Sequence, residues 1–169
     1  MELLLDVDAE HFVHRDWSIL KQAGLPSQGR HSAASNRPHI TLLAAPRIPA
    51  EYDDGLAALA EVLPLPIHTA GLILFETGRG QVLARLGVVS GALLELHRAV
   101  HSALQGVPGI AANCVPDRWV PHITLARAMN PAQVAQAIDL LPGAHGQLPL
   151  TALRRWDSHE KTTTTFGSG

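Results

Sequence analysis

The spacing of apolar and polar positions predicts a chain of alternating strands and helices. Residues 2–7 form a short apolar run typical of a buried strand. Residues 10–23 place Trp17 and Leu20 among apolar positions at helical spacing, and Gly24 ends that pattern. The same reasoning predicts further helices and strands, listed in chain order: a helix over 51–63, strands over 65–75 and 81–88, helices over 91–104 and 131–141, and a strand over 147–156.

Turn and cap residues mark the limits of several of these elements. Gly78-Arg79-Gly80 predicts a hairpin turn between two of the strands. Ser90 is a favourable N-cap for the helix that begins at residue 91. Asn130 and Pro131 are typical of the first positions of another helix. The predicted fold class is therefore α+β.

One five-residue sequence, Pro-His-Ile-Thr-Leu, occurs twice, at 38–42 and at 121–125. Each copy follows an irregular loop, 26–37 in the first case and 106–118 in the second. A helix is predicted before each loop and another after each copy. The repeat in matching settings indicates an internal duplication, and it is the strongest signal in the sequence.

The two copies have side chains suited to phosphate chemistry. Because side chains alternate along a strand, His39 and Thr41 share one face, and so do His122 and Thr124. Of two imidazoles near neutral pH, one can accept a proton while the other donates one. The threonine hydroxyls can donate hydrogen bonds to phosphate oxygens. A single His-x-Thr is equally typical of an ordinary strand surface, but the pair favours a site.

Composition narrows the class of protein. The chain has 169 residues, a net charge of -2, 46% hydrophobic and 17% charged residues, so phosphate binding has to be local. Cys114 is the only cysteine, which excludes an internal disulfide and favours a reducing cytoplasm. The apolar start ends at Asp6, too early for a signal peptide, and no run is long enough to span a membrane. We expect one domain over 1–160 and a disordered tail over 161–169.

The two motifs resemble those of a known family. Arg37-Pro-His-Ile-Thr-Leu42 and the stretch from Val120 to Arg127 are similar to the paired motifs of the 2H phosphoesterases, in particular the LigT-like, 2′-5′ RNA ligase group. The resemblance extends over 3–157, helped by the first helix and by the Arg-Arg-Trp-Asp sequence at 154–157. It implies a bilobal, pseudo-twofold α+β fold in which two antiparallel sheets line a central cleft and the helices lie outside.

The resemblance also implies an activity. Members open the 2′,3′-cyclic phosphates of RNA ends or nucleotides to 2′-phosphates, some also ligate RNA through 2′-5′ linkages, and the typical cyclic phosphodiesterase needs no metal or other cofactor. By position, His39 and His122 are the acid/base pair, and Thr41 and Thr124 hold the phosphate. We assign His122 as the base that activates water and His39 as the acid at the leaving 3′ oxygen.

Three further residues are candidates for substrate binding. Arg127 follows Thr124 by three positions and suits a phosphate oxygen, although plain alternation puts it on the opposite face unless the strand has a bulge. Trp119 can stack a base, whereas we expect Phe75 to lie in the core. Arg37 belongs to a basic loop that favours an anionic ligand.

Other functions remain open from the residues alone. His97 and His101 have a spacing that can hold zinc, but we expect them on a solvated helix face. No nucleophile motif of serine hydrolases and no Gly-rich phosphate loop is present. A binding module for cyclic nucleotides or RNA ends, without catalysis, is the main alternative. A small substrate such as ADP-ribose 1″,2″-cyclic phosphate is another. We expect a monomer whose partner is an RNA terminus or a small cyclic nucleotide.

Overall fold

The computed structural model describes residues 1–143, 146–157 and 160–167. Within these ranges the strands and helices follow one another in the chain order β1 (Glu2–Leu5), α1 (Val7–Gln22), β2 (His39–Thr41), α2 (Asp53–Ala60), β3 (Leu65–Thr77), β4 (Gly80–Val88), α3 (Gly91–Ala103), β5 (His122–Met129), α4 (Pro131–Leu140), β6 (Gly146–Asp157) and β7 (Thr162–Phe166). The predicted α+β class is confirmed.

The strands form one connected antiparallel sheet in the order β1-β2-β5-β4-β3-β6-β7. An additional pairing between β1 and β6 closes six of these strands into a ring, and β7 lies beyond β6. Two separate sheets are predicted from the family resemblance of the sequence. In the structure they are joined, because β3 is 13 residues long and pairs with both β6 and β4. β3 pairs with β6 over residues 65–69 and with β4 over residues 68–77, with a register irregularity between Thr69 and Leu72 in the pairing with β4.

The helices cover one face of this sheet. Leu3, Ile40 and Ile123 are cross-strand neighbours on that face, and all three are almost fully buried in the core. The helices α1 and α4 contact each other over β5 and β4, while α2 and α3 contact each other over β6 and β3. Each helix in the described part of the chain is too short or too polar to cross a membrane. The opposite face of the ring is left for the polar side chains of the motifs.

Caps explain where the helices begin. The Asp6 carboxylate accepts a hydrogen bond from the backbone N–H of Ala9 at 2.7 Å, so α1 starts at Val7, three residues before its predicted start. The predicted cap at Ser90 is confirmed for α3. Asn130 forms a capping box at the start of α4, as its sequence position predicts.

The prediction that the tail lies outside the fold is wrong for most of its length. β7 pairs with β6 from Thr162 to Phe166, and Phe166 is buried in the core with 8% of its surface exposed. The run of threonines has no apolar alternation because β7 is an edge strand anchored by this one aromatic residue. Residues 168 and 169 lie outside the described part of the chain.

This anchoring role makes a first prediction. Replacing Phe166 by alanine should lower the free energy of unfolding by about 2–3 kcal/mol, because a buried aromatic side chain leaves a cavity at the sheet edge. The matched control is Thr162→Ala at an exposed position of the same strand, which should change stability by less than about 0.5 kcal/mol. Urea unfolding measures both; equal effects would show that β7 does not belong to the folded core.

Candidate active site

The two motif strands meet at a single pair of residues. β2 and β5 are antiparallel, and Ile40 is the partner of Ile123. Continuing this register by one residue each way sets His39 across from Thr124, and Thr41 across from His122. Each histidine therefore faces the threonine of the other motif, in an arrangement with local twofold symmetry about the isoleucine pair.

Both histidines are held in the same way. His39 Nδ1 lies 2.7 Å from the carbonyl oxygen of Arg37, and His122 Nδ1 lies 2.8 Å from that of Val120. In each case the carbonyl belongs to the residue two positions earlier. A carbonyl can only accept, so Nδ1 carries the hydrogen and Nε2 is the nitrogen that can exchange a proton with a ligand.

Two tryptophans donate hydrogen bonds to the backbone of the two motifs. The indole N–H of Trp17, on α1, donates to the carbonyl of Thr124 at 3.0 Å. The indole N–H of Trp119, just before β5, donates to the carbonyl of Thr41 at 2.8 Å. Each bond holds the backbone of one motif threonine from outside its own strand. The two bonds therefore fix the spacing of the motifs although the β2–β5 ladder is short.

His39 lies beside an acidic residue. Its Nε2 is 3.4 Å from Glu2 Oε1, and the other Glu2 oxygen accepts a bond from Arg154 Nε at 2.7 Å. Glu2 pairs with Thr41 on one side and with Arg154 on the other, so these side chains share the face of His39. Both nitrogens of His39 thus face oxygen atoms, one of a backbone carbonyl and the other of a carboxylate. This environment suits a proton donor.

His122 lies in a different environment. The ring of Phe75 packs against it, with ring centroids 4.5 Å apart. Burial lowers the pKa of His122 from its ordinary value, and the positive charges of Arg127 and His39 lower it further, against the opposing bond to Val120. The neutral ring is therefore favoured, which suits a proton acceptor.

A bulge in β5 turns Arg127 to the face of the sheet that carries the motif side chains. Ala84 of β4 pairs with Thr124, but the next residue back, Leu83, pairs with Ala126, so β5 carries one extra residue at Leu125. A one-residue bulge reverses the alternation beyond it and turns Arg127 to the side of Thr124. The influence of Arg127 on the pKa of His122 agrees with this position. The bulge that the sequence argument requires is present.

The other two candidate binding residues are partly engaged by the protein. The Nε of Arg37 donates to Glu10 at 2.8 Å, so its charge is partly neutralised, while its carbonyl orients His39. Trp119 stacks flat on His97, with ring centroids 4.2 Å apart and planes within 6°. One face of the indole is therefore covered, and the side chain still borders a cavity beside His122.

Two sequence-based placements are wrong. Phe75 is half-buried against His122 and is not part of the core cluster, because its position in β3 faces the cleft side of the sheet. His97 is not solvated: 2% of its surface is exposed, and its Nε2 lies 3.0 Å from the carbonyl of Cys114. The described residues contain no group of three metal-ligating side chains around it.

Sequence reasoning did not identify the roles of Glu2 and Arg154. A signal for them exists, since Glu2 begins a strand whose other residues are leucines and Arg154 directly follows the apolar pair Ala152 and Leu153 in β6. Such residues are placed on the polar face of a sheet when they have a partner there. Their pairing across 152 positions of sequence, however, depends on the closure of β1 onto β6.

Comparisons with known proteins identify a family and a similar fold. A family model described as the 2′-5′ RNA ligase superfamily matches residues 7–162, which include both motifs. The structure of Usb1 from Kluyveromyces marxianus is similar over 99% of this chain and 95% of that chain, with 11% identity and a TM-score of 0.50. Its structure with uridine monophosphate gives 99% and 96% coverage, 9% identity and a TM-score of 0.51. No curated protein sequence matches.

At such low identity the likeness to Usb1 concerns the fold alone. The family model carries the assignment, because its match extends from the start of α1 to the start of β7. The chain belongs to the 2′-5′ RNA ligase superfamily of 2H phosphoesterases.

Proposed function

We propose that this chain is a phosphodiesterase that opens 2′,3′-cyclic phosphates of RNA ends or nucleotides to 2′-phosphates. One observation carries the proposal: two histidines lie in a twofold arrangement, each with Nδ1 bonded to a carbonyl, so that Nε2 is the nitrogen left for proton transfer. Hydrolysis of a cyclic diester needs a proton acceptor and a proton donor on opposite sides of one phosphorus. Membership of the 2′-5′ RNA ligase superfamily supports the same reaction class.

The reaction is balanced by one water molecule. His122 Nε2 takes a proton from water, and the oxygen of that water forms a new bond to phosphorus. The bond from phosphorus to the 3′ oxygen breaks, and His39 Nε2 gives its proton to that oxygen. The product is a 2′-phosphate with a free 3′ hydroxyl. The lowering of the His122 pKa by burial and the contact of His39 with Glu2 support this division of roles.

Thr41, Thr124 and Arg127 complete the site in this proposal. Their hydroxyl and guanidinium groups donate to the non-bridging phosphate oxygens, where charge is spread in the transition state. No metal is required, because the two rings supply the proton transfers and these donors supply the charge stabilisation. A 5′ hydroxyl of a second RNA in place of water gives a 2′-5′ linkage from the same groups.

The direct test is the hydrolysis of 2′,3′-cyclic mononucleotides by the wild-type protein in EDTA. We expect turnover to the 2′-phosphate, identified by chromatography against both isomers, at a rate that EDTA does not change. A 3′-phosphate product would contradict the proposed bond cleavage, and a requirement for added metal would contradict the mechanism. Binding without turnover of either a cyclic mononucleotide or a cyclic-ended RNA would favour the non-catalytic module.

A second prediction concerns pH. His122 has to be neutral to accept a proton, so kcat/KM should rise with pH through the pKa of His122, which burial lowers from its ordinary value. Arg127→Gln removes a positive charge that lowers the pKa of His122, so this pKa should rise and the acidic limb should move to higher pH. The control Arg127→Lys keeps the charge and should leave the limb in place. An unmoved limb in Arg127→Gln would contradict the assignment of His122 as base.

A further inference from the structure

A groove extends from His39 away from the β2–β5 pair. Its near part borders Glu2 and His39, and its far part reaches Lys161 and Thr163. Both parts are lined by Ser35, Arg154 and Trp156, so they form one continuous depression, which we call the β6–β7 groove.

The β6–β7 groove lies on the catalytic face of the sheet. Glu2 is the strand partner of Arg154, Arg154 is the partner of Thr165, and Trp156 is the partner of Thr163. Cross-strand partners share a face, and alternate residues of one strand do so too. Arg154 and Trp156 therefore lie on the same side as the Glu2 carboxylate that contacts His39. The groove therefore begins beside His39 and continues along the same face of the sheet.

Trp156 differs from the other two tryptophans of the chain. Trp17 is part of the core and Trp119 packs against it, whereas Trp156 belongs to neither group. Its indole N–H has no hydrogen-bond partner among the described residues, and the side chain is half-buried. A large aromatic ring that lies outside the core and lines a groove is suited to stacking a nucleobase.

The charges of the groove differ in availability. Arg154 is bonded to Glu2 and Arg37 to Glu10, so both guanidinium groups are partly neutralised. Lys161 is exposed, and within the described ranges it makes no ion pair. An exposed ammonium at the far end of the groove is the group there best able to contact a backbone phosphate.

We propose that the β6–β7 groove binds the nucleotide that precedes the terminal one in a single-stranded RNA, with its base on Trp156 and its phosphate near Lys161. This proposal rests on the proposed function. A 2′,3′-cyclic phosphate uses two oxygens of the last ribose, so the RNA chain continues only through the 5′ oxygen. In this proposal the terminal nucleoside occupies the small cavity beside His122 and Phe75, and the groove on the His39 side takes the rest of the chain. The substrate is then an RNA end rather than a free mononucleotide.

The test compares two substrates, a pentanucleotide with a 2′,3′-cyclic phosphate and the corresponding cyclic mononucleotide. Trp156→Ala should lower kcat/KM for the pentanucleotide about tenfold or more, mainly through KM, and leave the mononucleotide within about twofold. Lys161→Gln should lower only the pentanucleotide value and weaken its dependence on salt. Two controls are matched: Trp156→Phe keeps a stacking ring, and Arg79→Gln removes an exposed cation at the β3–β4 turn, outside the groove. Both should behave as the wild type.

Equal losses for both substrates in Trp156→Ala, or no loss for either, would overturn the proposal for the groove. If the wild type turns over neither substrate, the proposed reaction is contradicted. The proposal for the groove is then tested separately, by measuring RNA binding. A 5′-labelled pentanucleotide ending in a 2′-phosphate then serves as the probe in fluorescence anisotropy. Weaker binding in Trp156→Ala and Lys161→Gln, but not in Arg79→Gln, supports the groove; equal binding in all variants overturns it. Thermal unfolding of each variant confirms that it is folded.

Discussion

Alanine in place of either His39 or His122 should lower kcat/KM for a 2′,3′-cyclic phosphate at least about a hundredfold, the lower end of the usual contribution of general acid/base catalysis. The reason is geometric: each ring has its Nδ1 bonded to a backbone carbonyl, so Nε2 is the nitrogen that can exchange a proton with the substrate. His11→Ala is the matched control, since His11 is an exposed histidine of α1, and it should keep full activity. Steady-state kinetics at neutral pH measures all three variants.

The two losses should differ once the leaving group changes. An aryl phosphodiester that releases p-nitrophenolate needs no proton on the leaving oxygen, so His39→Ala should lose much less activity on it than on the cyclic substrate. His122→Ala should remain impaired on both, because the attacking water still has to lose its proton. The reverse pattern would exchange the roles of the two rings. Full activity of either alanine variant on the cyclic substrate would contradict the two-histidine mechanism itself.

The parts of the site that the sequence predicts are local in origin. The motif side chains follow from strand alternation, and the caps at Ser90 and Asn130 follow from residue type. The position of Arg127 also has a local cause, since a single extra residue in β5 decides its face. A sequence argument can state the need for that bulge, but the pairing with β4 determines whether it forms.

The parts that the sequence does not predict depend on long-range closure of the sheet. The contact of Glu2 with His39 and Arg154 exists because β1 is placed between β2 and β6. Phe166 has no apolar neighbours in sequence, so its anchoring of β7 cannot be predicted before the β6–β7 pairing is known. Whether Phe75 lies on the face that contacts His122 likewise depends on the register of β3 with β4. Local patterns do not specify such registers.

A buried ion pair underlies the second large expected effect. Arg85 Nε donates to Asp16 Oδ2 at 2.9 Å, and its Nη2 donates to the carbonyl of Pro142 at 2.7 Å. Both side chains are almost completely buried, with 2% and 0% of their surfaces exposed. Asp16→Ala should therefore lower the free energy of unfolding by about 3–5 kcal/mol, because it leaves the guanidinium charge buried without its carboxylate. Urea unfolding followed by tryptophan fluorescence measures this loss.

The double variant Asp16→Leu/Arg85→Met separates the cost of an unpaired charge from the cost of lost packing. It removes both charges and fills the space with apolar atoms, so it should recover most of the stability lost in Asp16→Ala. A double variant as unstable as Asp16→Ala would contradict the unpaired charge as the cause. The pair joins α1 to β4, and the next residue of α1 is Trp17, whose indole holds the carbonyl of Thr124. Asp16→Ala should therefore also loosen the second motif. A lower kcat of Asp16→Ala, measured at temperatures where this variant remains folded, would show that α1 positions the catalytic strand β5.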